Sequence, residues 1–316
     1  MPFYRCTMYE DSGGGGGGIY SFNSDDYLYF IINNVKKSVD PILLNNKVTG
    51  AHGPAGVINL HNTSTFFTLN LNTLQCQYLN ISNINEINSV HFGKNIRSLG
   101  GISSSKLTGN AGFNAPIYFD EECIMSQFTS FISGCSEYNL RLDLPKSSKY
   151  CGGMFGSCFA FNQPMLFSKN TNQLNSTFFR CNGFNQPVVI ESNIITDFQS
   201  MFVNASNMYS NIIFTHSENM NYNFSLAAAC NCLNRMLDTQ NHGERINIFA
   251  ENLSIFTNSN IYLVNSTVGV LTWSATTNGY YNSLYNIYVL NNVNDALDAF
   301  NSYYYNLYGG YPVYDN

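Results

Sequence analysis

Charged residues are the scarcest class in this 316-residue chain. Asp, Glu, Lys and Arg together make up 11% of it, whereas they account for roughly 25% of a typical soluble domain. The net charge is −6, and no run of cationic residues is longer than the pair Lys36–Lys37. A protein that neutralises the phosphates of a nucleic acid needs several cations on one face. The composition therefore argues against nucleic-acid binding.

The sequence also lacks long apolar runs and an N-terminal segment typical of a secretion signal. No stretch approaches the roughly 18 apolar residues of a membrane-spanning helix. The first residues, MPFYRCTMYEDSGG, lack a basic segment followed by an apolar one, so we expect no secretion signal there. The nine cysteines are odd in number, and three of them recur at equal spacing. This pattern favours free, packed thiols and folding in a reducing cytoplasm.

A recurring phrase dominates the middle of the chain. MFGSCFAFNQPML begins at residue 154 and TFFRCNGFNQPVV at residue 177, a step of 23 residues. Both contain Cys-x-x-Phe-Asn-x-Pro, and the first position of this motif falls at Asn110, Cys135, Cys158, Cys181, Ala205 and, more weakly, Cys230. Self-similarity at a constant period is typical of stacked repeat units. The phrase is therefore predicted to be one coil of an array and not a chemical site.

Each position of the repeat has a predicted role. The alternating apolar pair after the proline predicts a short strand with one buried face. The Met-Phe-x-x-Cys segment fits one or two turns of helix or a 3₁₀-like turn. The repeated Asn is predicted to be an inward-pointing amide that bonds backbone groups of adjacent coils. The predicted repeat core comprises Cys135, Cys158, Cys181, Ala205, Phe161, Phe184, Asn162 and Asn185.

These phrases resemble the BspA-like subclass of leucine-rich repeats, whose units carry Met-Phe, a Cys and then Phe-Asn-Gln-Pro. The resemblance covers roughly residues 100 to 245 and weakens at MYSNIIF and LAAACNCLNRM. It implies a leucine-rich-repeat-like solenoid of short strands without catalytic residues. Such repeats are common in surface, adhesion and bacteriophage proteins.

The predicted fold is mainly β, with four parts along the chain. These are a glycine- and aromatic-rich arm or attachment segment (1–50), a β-rich lead-in (51–99), the repeat solenoid (100–245), and irregular coils ending in a small cap (246–316). In the cap, Val293, Ala296, Leu297 and Phe300 share one helix face. We expect that helix to cover the open end of the last coil.

No residue pattern predicts catalysis, a cofactor or a metal ion. The glycine run is followed by Ile19–Ser21 and not by the Lys-Ser/Thr of a phosphate-binding loop. Cys230 and Cys232 lack the two-residue gap of a zinc site. The strongest enzymatic alternative is a glycosidase with paired carboxylates, for which Asp120–Glu122 or Asp143 are candidates. The other interpretation of those acids is a solvated turn between coils.

Two segments are candidates for partner binding. One is the glycine run from Gly13 to Gly18, and the other is the tyrosine-rich end with Tyr303, Tyr304 and Tyr305. A tyrosine combines a flat apolar ring with a polar tip, which suits a docking face or a glycan-binding face. The alternative is that these rings pack on the solenoid itself.

The sequence therefore predicts a non-enzymatic structural component of a tailed-bacteriophage virion, from the tail, tail fibre, collar or head-decoration set. We expect it to assemble in the host cytoplasm and to contact other virion proteins and copies of itself. A host-surface glycan or protein is a further expected partner. A cell-surface adhesin and a phage polysaccharide depolymerase stay open as alternatives.

Overall fold

The protein is mainly β, and its centre is a β-solenoid of about four turns. One α-helix, α1 (Val293–Tyr308), lies in the described part of the chain, together with a 3₁₀ turn at Ser24–Asp26. The computed structural model describes residues 24–26, 28–38, 40–44, 47–52, 69–70, 75–76, 87–94, 98–99, 112–197, 200–205, 207–208, 210–215, 246–250, 260–263, 266–270, 272–274, 279–282 and 287–315.

The described strands are two to six residues long. In chain order they are β1 (Leu28–Ile32), β2 (Val35–Ser38), β3 (Asp40–Leu44), β4 (Lys47–His52), β5 (Leu69–Asn70), β6 (Gln75–Cys76), β7 (Ile87–Phe92), β8 (Ser98–Leu99), β9 (Ile117–Phe119), β10 (Met165–Phe167), β11 (Val188–Ile190), β12 (Ile212–Phe214), β13 (Ile246–Ala250), β14 (Asn260–Leu263), β15 (Ser266–Val270), β16 (Thr272–Ser274), β17 (Gly279–Asn282) and β18 (Ile287–Leu290). The two largest sheets have the orders β2-β1-β7-β9 and β10-β11-β12-β13-β18-β17-β16.

The solenoid contains a parallel ladder of short strands, although the coil between β9 and β10 has no strand at residues 142–144. β10, β11, β12, β13 and β18 pair in parallel in that order, and β17 and β16 then add antiparallel strands at the edge. The ladder crosses the predicted boundary at residue 245 without a break. Residues 246–250 and 287–290 are therefore further rungs of the same sheet. The sequence predicted a further irregular coil at the first and a strand at the second, and the strand is present at Ile287–Leu290.

The N-terminal strands belong to the same body. β1 pairs with β7, and β7 pairs in parallel with β9 at the start of the repeat region. Phe30 and Phe92 are fully buried, and the Phe92 ring lies 5.7 Å from that of Phe131. The prediction that residues 1–50 form an arm is thus corrected at Leu28–Ile32, which is core. Gly13 and Gly18 lie outside the described residues.

The Met-Phe-x-x-Cys segment forms consecutive tight turns and not a helix. The Phe155 N–H donates to Thr177 O of the next coil (2.9 Å), whereas the Cys158 N–H turns back to Phe155 O (2.9 Å). The Ser157 N–H again donates to the next coil, at Phe179 O (2.7 Å). Because alternate amides bond to the neighbouring coil, the i to i+4 bonds of an α-helix cannot form.

Two positions in each coil adopt the left-handed backbone region. They are equivalent between coils, and φ lies between 54° and 79° at Ser130, Gly153, Ser176 and Ser200, and at Gly134, Ser157, Arg180 and Asn204. A left-handed conformation costs a non-glycine residue roughly 1–2 kcal/mol. The stacked coils evidently impose it at both positions, since most copies carry side chains there.

Buried side chains form continuous columns along the solenoid. In one column the rings of Phe113, Tyr138, Phe161 and Phe184 stack nearly parallel, with centroids 5.9, 6.1 and 5.9 Å apart. In a second column the Phe155, Phe178 and Phe202 rings are 5.4 and 5.3 Å apart. Offset rings at such distances add stabilisation to the burial of their area.

The predicted thiol positions lie in the same core. Cys135, Cys158, Cys181 and Ala205 are all 0% exposed. The Cys158 Sγ donates to Ile132 O at 3.0 Å, and the Cys181 Sγ repeats this bond to Phe155 O at 2.8 Å. Burial raises the pKa of the Cys135 thiol to about 12, so it is protonated and unreactive at neutral pH.

The repeated asparagines form a ladder between coils. The Oδ1 atoms of Asn114, Asn139 and Asn162 accept hydrogen bonds from the backbone N–H of the asparagine one coil later, at 3.0, 2.8 and 2.8 Å. The side chains do not point inward as predicted. Asn162 is half-buried and Asn185 is exposed, so the ladder runs along the rim of the stack, where water can satisfy the remaining amide atoms.

The hydroxyl of Tyr138 is a polar group in a column whose other rings are phenylalanines. It is buried and has no hydrogen-bond partner among the described residues. We expect Tyr138→Phe to raise the free energy of unfolding by about 1–2 kcal/mol, because it removes an unsatisfied polar group and keeps the ring. Urea denaturation measures the change. Tyr305→Phe, at a 46% exposed ring, is the matched control and should leave stability unchanged; destabilisation by Tyr138→Phe would contradict the prediction.

Candidate functional site

The outward face of the solenoid sheet carries one aliphatic or aromatic residue for each strand. Strand pairing aligns Leu166, Val189, Ile213, Phe249 and Leu290 in a single row. The residues on either side of the first four belong to the core. Val189 and Ile213 are nevertheless 0% exposed, so β11 and β12 are buried on both faces, not on one as predicted.

Helix α1 covers this row. Its buried residues Val293, Ala296, Phe300 and Tyr304 recur every three or four positions and form a cluster with Val189, Ile213 and Phe249. The predicted helix and its apolar stripe are present, but the helix lies on the sheet and not over the open end of the last coil. Without it, the aliphatic row would face water. The helix ends at Gly309, which is left-handed with φ 72°.

Three tyrosine hydroxyls of α1 bond to side chains of the coils beneath. Tyr303 and Tyr308 donate to the Oε1 atoms of Gln186 and Gln163, at 2.5 and 2.6 Å, and Tyr304 donates to Asp143 at 2.7 Å. These glutamines are the Gln of the repeated Phe-Asn-Gln-Pro phrase. Of the predicted partner-binding tyrosines, Tyr304 is only 4% exposed and is a packing residue, whereas Tyr303 and Tyr305 are 39% and 46% exposed.

Arg141 marks the end of the covered region. Its Nε lies 2.6 Å from Asp143 Oδ2, and its guanidinium sits 5.1 and 4.7 Å from the ring centroids of Tyr304 and Tyr308. Cations over tyrosine rings are attracted by the ring electrons. Asp143, a candidate glycosidase acid, is therefore held by a guanidinium and a phenol.

The other acidic candidates lie in an exposed turn. Asp120, Glu121 and Glu122 are all exposed, and Asp120 Oδ1 accepts the backbone N–H of Glu122 at 2.9 Å. Such a bond is typical of an acid that shapes its own turn. This arrangement is that of a solvated turn between coils.

The segment after α1 folds back onto the coils and closes a cleft of about 110 Å³. Glu191, 4% exposed, accepts the Asp315 N–H at 3.2–3.3 Å, and Asp315 Oδ2 accepts the Lys169 N–H at 3.1 Å. Lys146 Nζ lies 3.7 Å from Asp315 Oδ1. Burial raises the pKa of Glu191 to about 7, and the nearby Asp315 charge adds to the rise, while the Asp315 N–H and the two lysines oppose it. The sequence offered no signal for this pair of acids, which lie 124 residues apart.

This buried carboxyl predicts a pH dependence of stability. The folded protein holds the Glu191 proton up to about pH 7, whereas an ordinary glutamate loses it near 4.5. The contribution of this group to stability is therefore fully present below pH 4.5 and is lost as the pH rises through 7. We expect Glu191→Gln to match the parent at pH 4 and to exceed it at pH 8 by on the order of 1–2 kcal/mol.

Urea unfolding of both proteins across pH 4 to 8 measures this difference. Glu137→Gln, at an exposed side chain, makes the same chemical change and controls for the effect of the substitution itself. A difference between Glu191→Gln and the parent that stays constant from pH 4 to 8 would show that Glu191 does not titrate differently on folding.

On the sheet β2-β1-β7-β9 the outward positions are aromatic, with Tyr118 exposed and Tyr29 and His91 half-buried. Strand pairing aligns Tyr29 with His91 and His91 with Tyr118. Their rings stack, with centroids 4.4 and 4.8 Å apart, and Tyr118 is 52% exposed. Ser89 Oγ lies 2.8 Å from His91 Nε2, and burial, with a smaller effect of Lys36, lowers the pKa of His91.

Sequence reasoning missed this aromatic row. No motif in the sequence included His91, and Tyr29 and Tyr118 lie 62 and 27 residues away from it along the chain. The available signal was strand alternation, because each of the three sits between two core residues of its strand. Only the pairing of β1, β7 and β9 brings them together.

These features define a β-solenoid whose outer face is covered on one part by its own helix and bears stacked aromatic residues on the rest. No protein-family model matches the chain, and no similar protein was found among curated proteins or solved structures. Within the described residues, no group of three or more His, Cys, Asp or Glu side chains is placed to hold a metal ion. The described part of the chain also contains no helix long and apolar enough to cross a bilayer.

Proposed function

We propose that this chain is a non-enzymatic structural component of a tailed-bacteriophage virion that acts by contact with neighbouring proteins or with the host surface. Its solenoid is a leucine-rich-repeat-like array of the BspA-like subclass. The observation that carries the proposal is a single continuous core, from Leu28 to Ala250, whose coils are filled by stacked aromatic and thiol columns. Such a stack is a rigid support for a contact face.

The chemistry of the cysteines supports assembly in the host cytoplasm. Cys123, Cys135, Cys151, Cys158 and Cys181 are buried thiols that form no disulfide bond. A thiol that donates to a neighbouring coil, as Cys158 and Cys181 do, needs to stay reduced. The low charge of the chain supports close association with copies of itself, because little repulsion opposes it.

A cell-surface adhesin is the second candidate, and the exposed aromatic row at Tyr118 favours it as much as it favours a host-contacting virion protein. The depolymerase alternative has less support. Asp143 is engaged by Arg141 and Tyr304, and the Asp120–Glu122 acids lie in an exposed turn.

Analysis of purified particles tests the proposal. We expect quantitative mass spectrometry of density-purified phage particles to find the chain at a constant copy number, and immunogold labelling to place it on one part of the particle. Recovery of the chain only from the cell envelope would favour the adhesin. Release of reducing sugar from host polysaccharide by the purified chain would favour the depolymerase. Either outcome would overturn the proposal.

A further inference from the structure

We propose that the outward row Tyr29–His91–Tyr118, on the sheet β2-β1-β7-β9, is a binding surface for a neutral glycan. The inference deepens the proposed function, on which it rests, by naming the chemical class of the host-surface partner. Four observations on the described residues support this assignment. They are the position at which the helix-covered row ends, the exposure of the rings, the polar atoms on them, and the pairing of the nearby charges.

The helix-covered row and the aromatic row lie on two different sheets. The helix-covered row ends at Leu166 on β10. By the repeat register the next position outward is Asp143, which bonds to Tyr304 and lies in a coil without a strand, and the position after it is Tyr118. The end of the covering layer exposes Tyr311 and Val313, which are 66% and 74% exposed, and Val313 lines the cleft beside Arg141. The aromatic row thus begins two coils beyond the helix-covered row.

Tyr118 is the most exposed of the three rings. Among the described residues its ring contact is with His91, at 4.8 Å, on one side. The ring is 52% exposed and neighbours the short side chain of Asp143 on the next rung. An aromatic ring beside a short residue leaves room for the flat C–H face of a pyranose, which packs on aromatic surfaces as other apolar groups do.

Each ring of the row carries a polar atom. The rings belong to neighbouring strands, which lie about 4.8 Å apart, and they carry the Tyr29 and Tyr118 hydroxyls and the two His91 nitrogens, of which Nε2 already lies 2.8 Å from Ser89 Oγ. Phenols and imidazole both donate and accept hydrogen bonds. A row of apolar rings with such tips matches a chain of sugar residues, each of which has C–H faces and hydroxyl edges.

The charges beside the row are paired, which favours a neutral ligand. Lys36 Nζ lies 2.5 Å from Asp25 and 4.2 Å above the Tyr29 ring. Lys94 lies 3.8 Å from Asp26. Arg141 is paired with Asp143 at 2.6 Å. Binding of an acidic polymer draws on cations that are available to it, and these three are already neutralised. A neutral polyhydroxylated chain suits this surface better than a nucleic acid or an acidic polysaccharide.

Binding of neutral hexasaccharides to the full chain tests the inference. The probes are cellohexaose, chitohexaose and maltohexaose, with saturation-transfer NMR to detect contact and titration calorimetry to measure affinity. We expect at least one probe to receive saturation at its ring C–H protons. Tyr118→Ala should weaken that binding about tenfold or more, and Tyr118→Phe should keep it within about threefold, because the ring surface is retained.

Phe159→Ala is the matched control, since Phe159 is exposed to a similar degree (49%) but lies in a turn of its coil and not in the row. It should leave affinity unchanged, and circular dichroism should show that each variant keeps the parental fold. Absence of binding to all three probes would overturn the inference, and so would binding that survives Tyr118→Ala. Self-association lost in Tyr118→Ala would show instead that the row is an interface between copies. The particle analysis is independent, so a failure here leaves the proposed function standing.

Discussion

Replacing Phe178 with Ala is expected to lower the free energy of unfolding by about 3–5 kcal/mol, the largest effect of any single substitution considered. Phe178 is fully buried at the centre of the solenoid. Its ring centroid lies 4.2 Å from that of Phe184 and 5.3–5.4 Å from those of Phe155 and Phe202. The truncation therefore removes contacts with its own coil and with both neighbours.

The cost is large because the coils cannot close the cavity. Each is held to the next by backbone bonds on both sides of Phe178, including Phe178 N–H to Met201 O at 2.8 Å. At a site that relaxes little, the substitution loses the transfer free energy of the removed atoms and also costs the free energy of the cavity that remains.

Equilibrium urea unfolding followed by far-ultraviolet circular dichroism measures the change. Phe159→Ala is the control, because it makes the same chemical change at a ring that is 49% exposed. We expect it to cost less than about 1 kcal/mol. Equal losses at Phe159 and Phe178 would contradict the stacked-column account of stability.

Placing a charge under the covering helix is expected to have the second largest effect. Ala296 is 5% exposed and belongs to the cluster that α1 forms with Val189, Ile213 and Phe249. We expect Ala296→Glu to destabilise the protein by on the order of 3–5 kcal/mol, because the carboxylate would be buried against an aliphatic row without a partner. If α1 instead detaches from the sheet, that row becomes exposed to water.

Ala299→Glu provides a control on the same helix. Ala299 is exposed, so the same substitution there changes charge and helix propensity equally without entering the interface. We expect an effect within about 0.5 kcal/mol. Hydrogen exchange across residues 293–308, together with binding of a hydrophobic dye, should show release of α1 in Ala296→Glu alone. Protected amides in α1 of Ala296→Glu would contradict the packing described for this helix.

The repeat predicted which residues pack against one another in much of the interior. Residues at equivalent positions of stacked coils must meet, so a period of 23 to 25 residues places Cys158 above Cys135 and Phe161 beside Tyr138 without any knowledge of coordinates. The strands after the prolines were predictable for the same reason. Alternating apolar residues such as Val188 and Ile190 can bury themselves only on one side of a short strand.

The turns were not predictable in this way. The spacing of Met154, Phe155 and Cys158 fits a helical period, and a single coil in isolation could satisfy its amides within a helix. The coils in the stack instead exchange every second amide bond with the next coil. Bonding between coils thus overrides the local pattern, and the same competition forces Ser157 and Arg180 into the left-handed region.

The sequence by itself determined that the coils stack and which residues fill them, because those contacts repeat at a constant interval along the chain. It also determined that a helix follows the last strand, with Val293, Ala296, Leu297 and Phe300 on one face. Only the tertiary structure decided where that helix lies and which part of the outer face stays open. The rows Leu166–Leu290 and Tyr29–Tyr118 are assembled by pairing strands that are far apart in sequence. The first row is aliphatic and needs a cover, whereas the rings of the second row have polar tips that water can solvate.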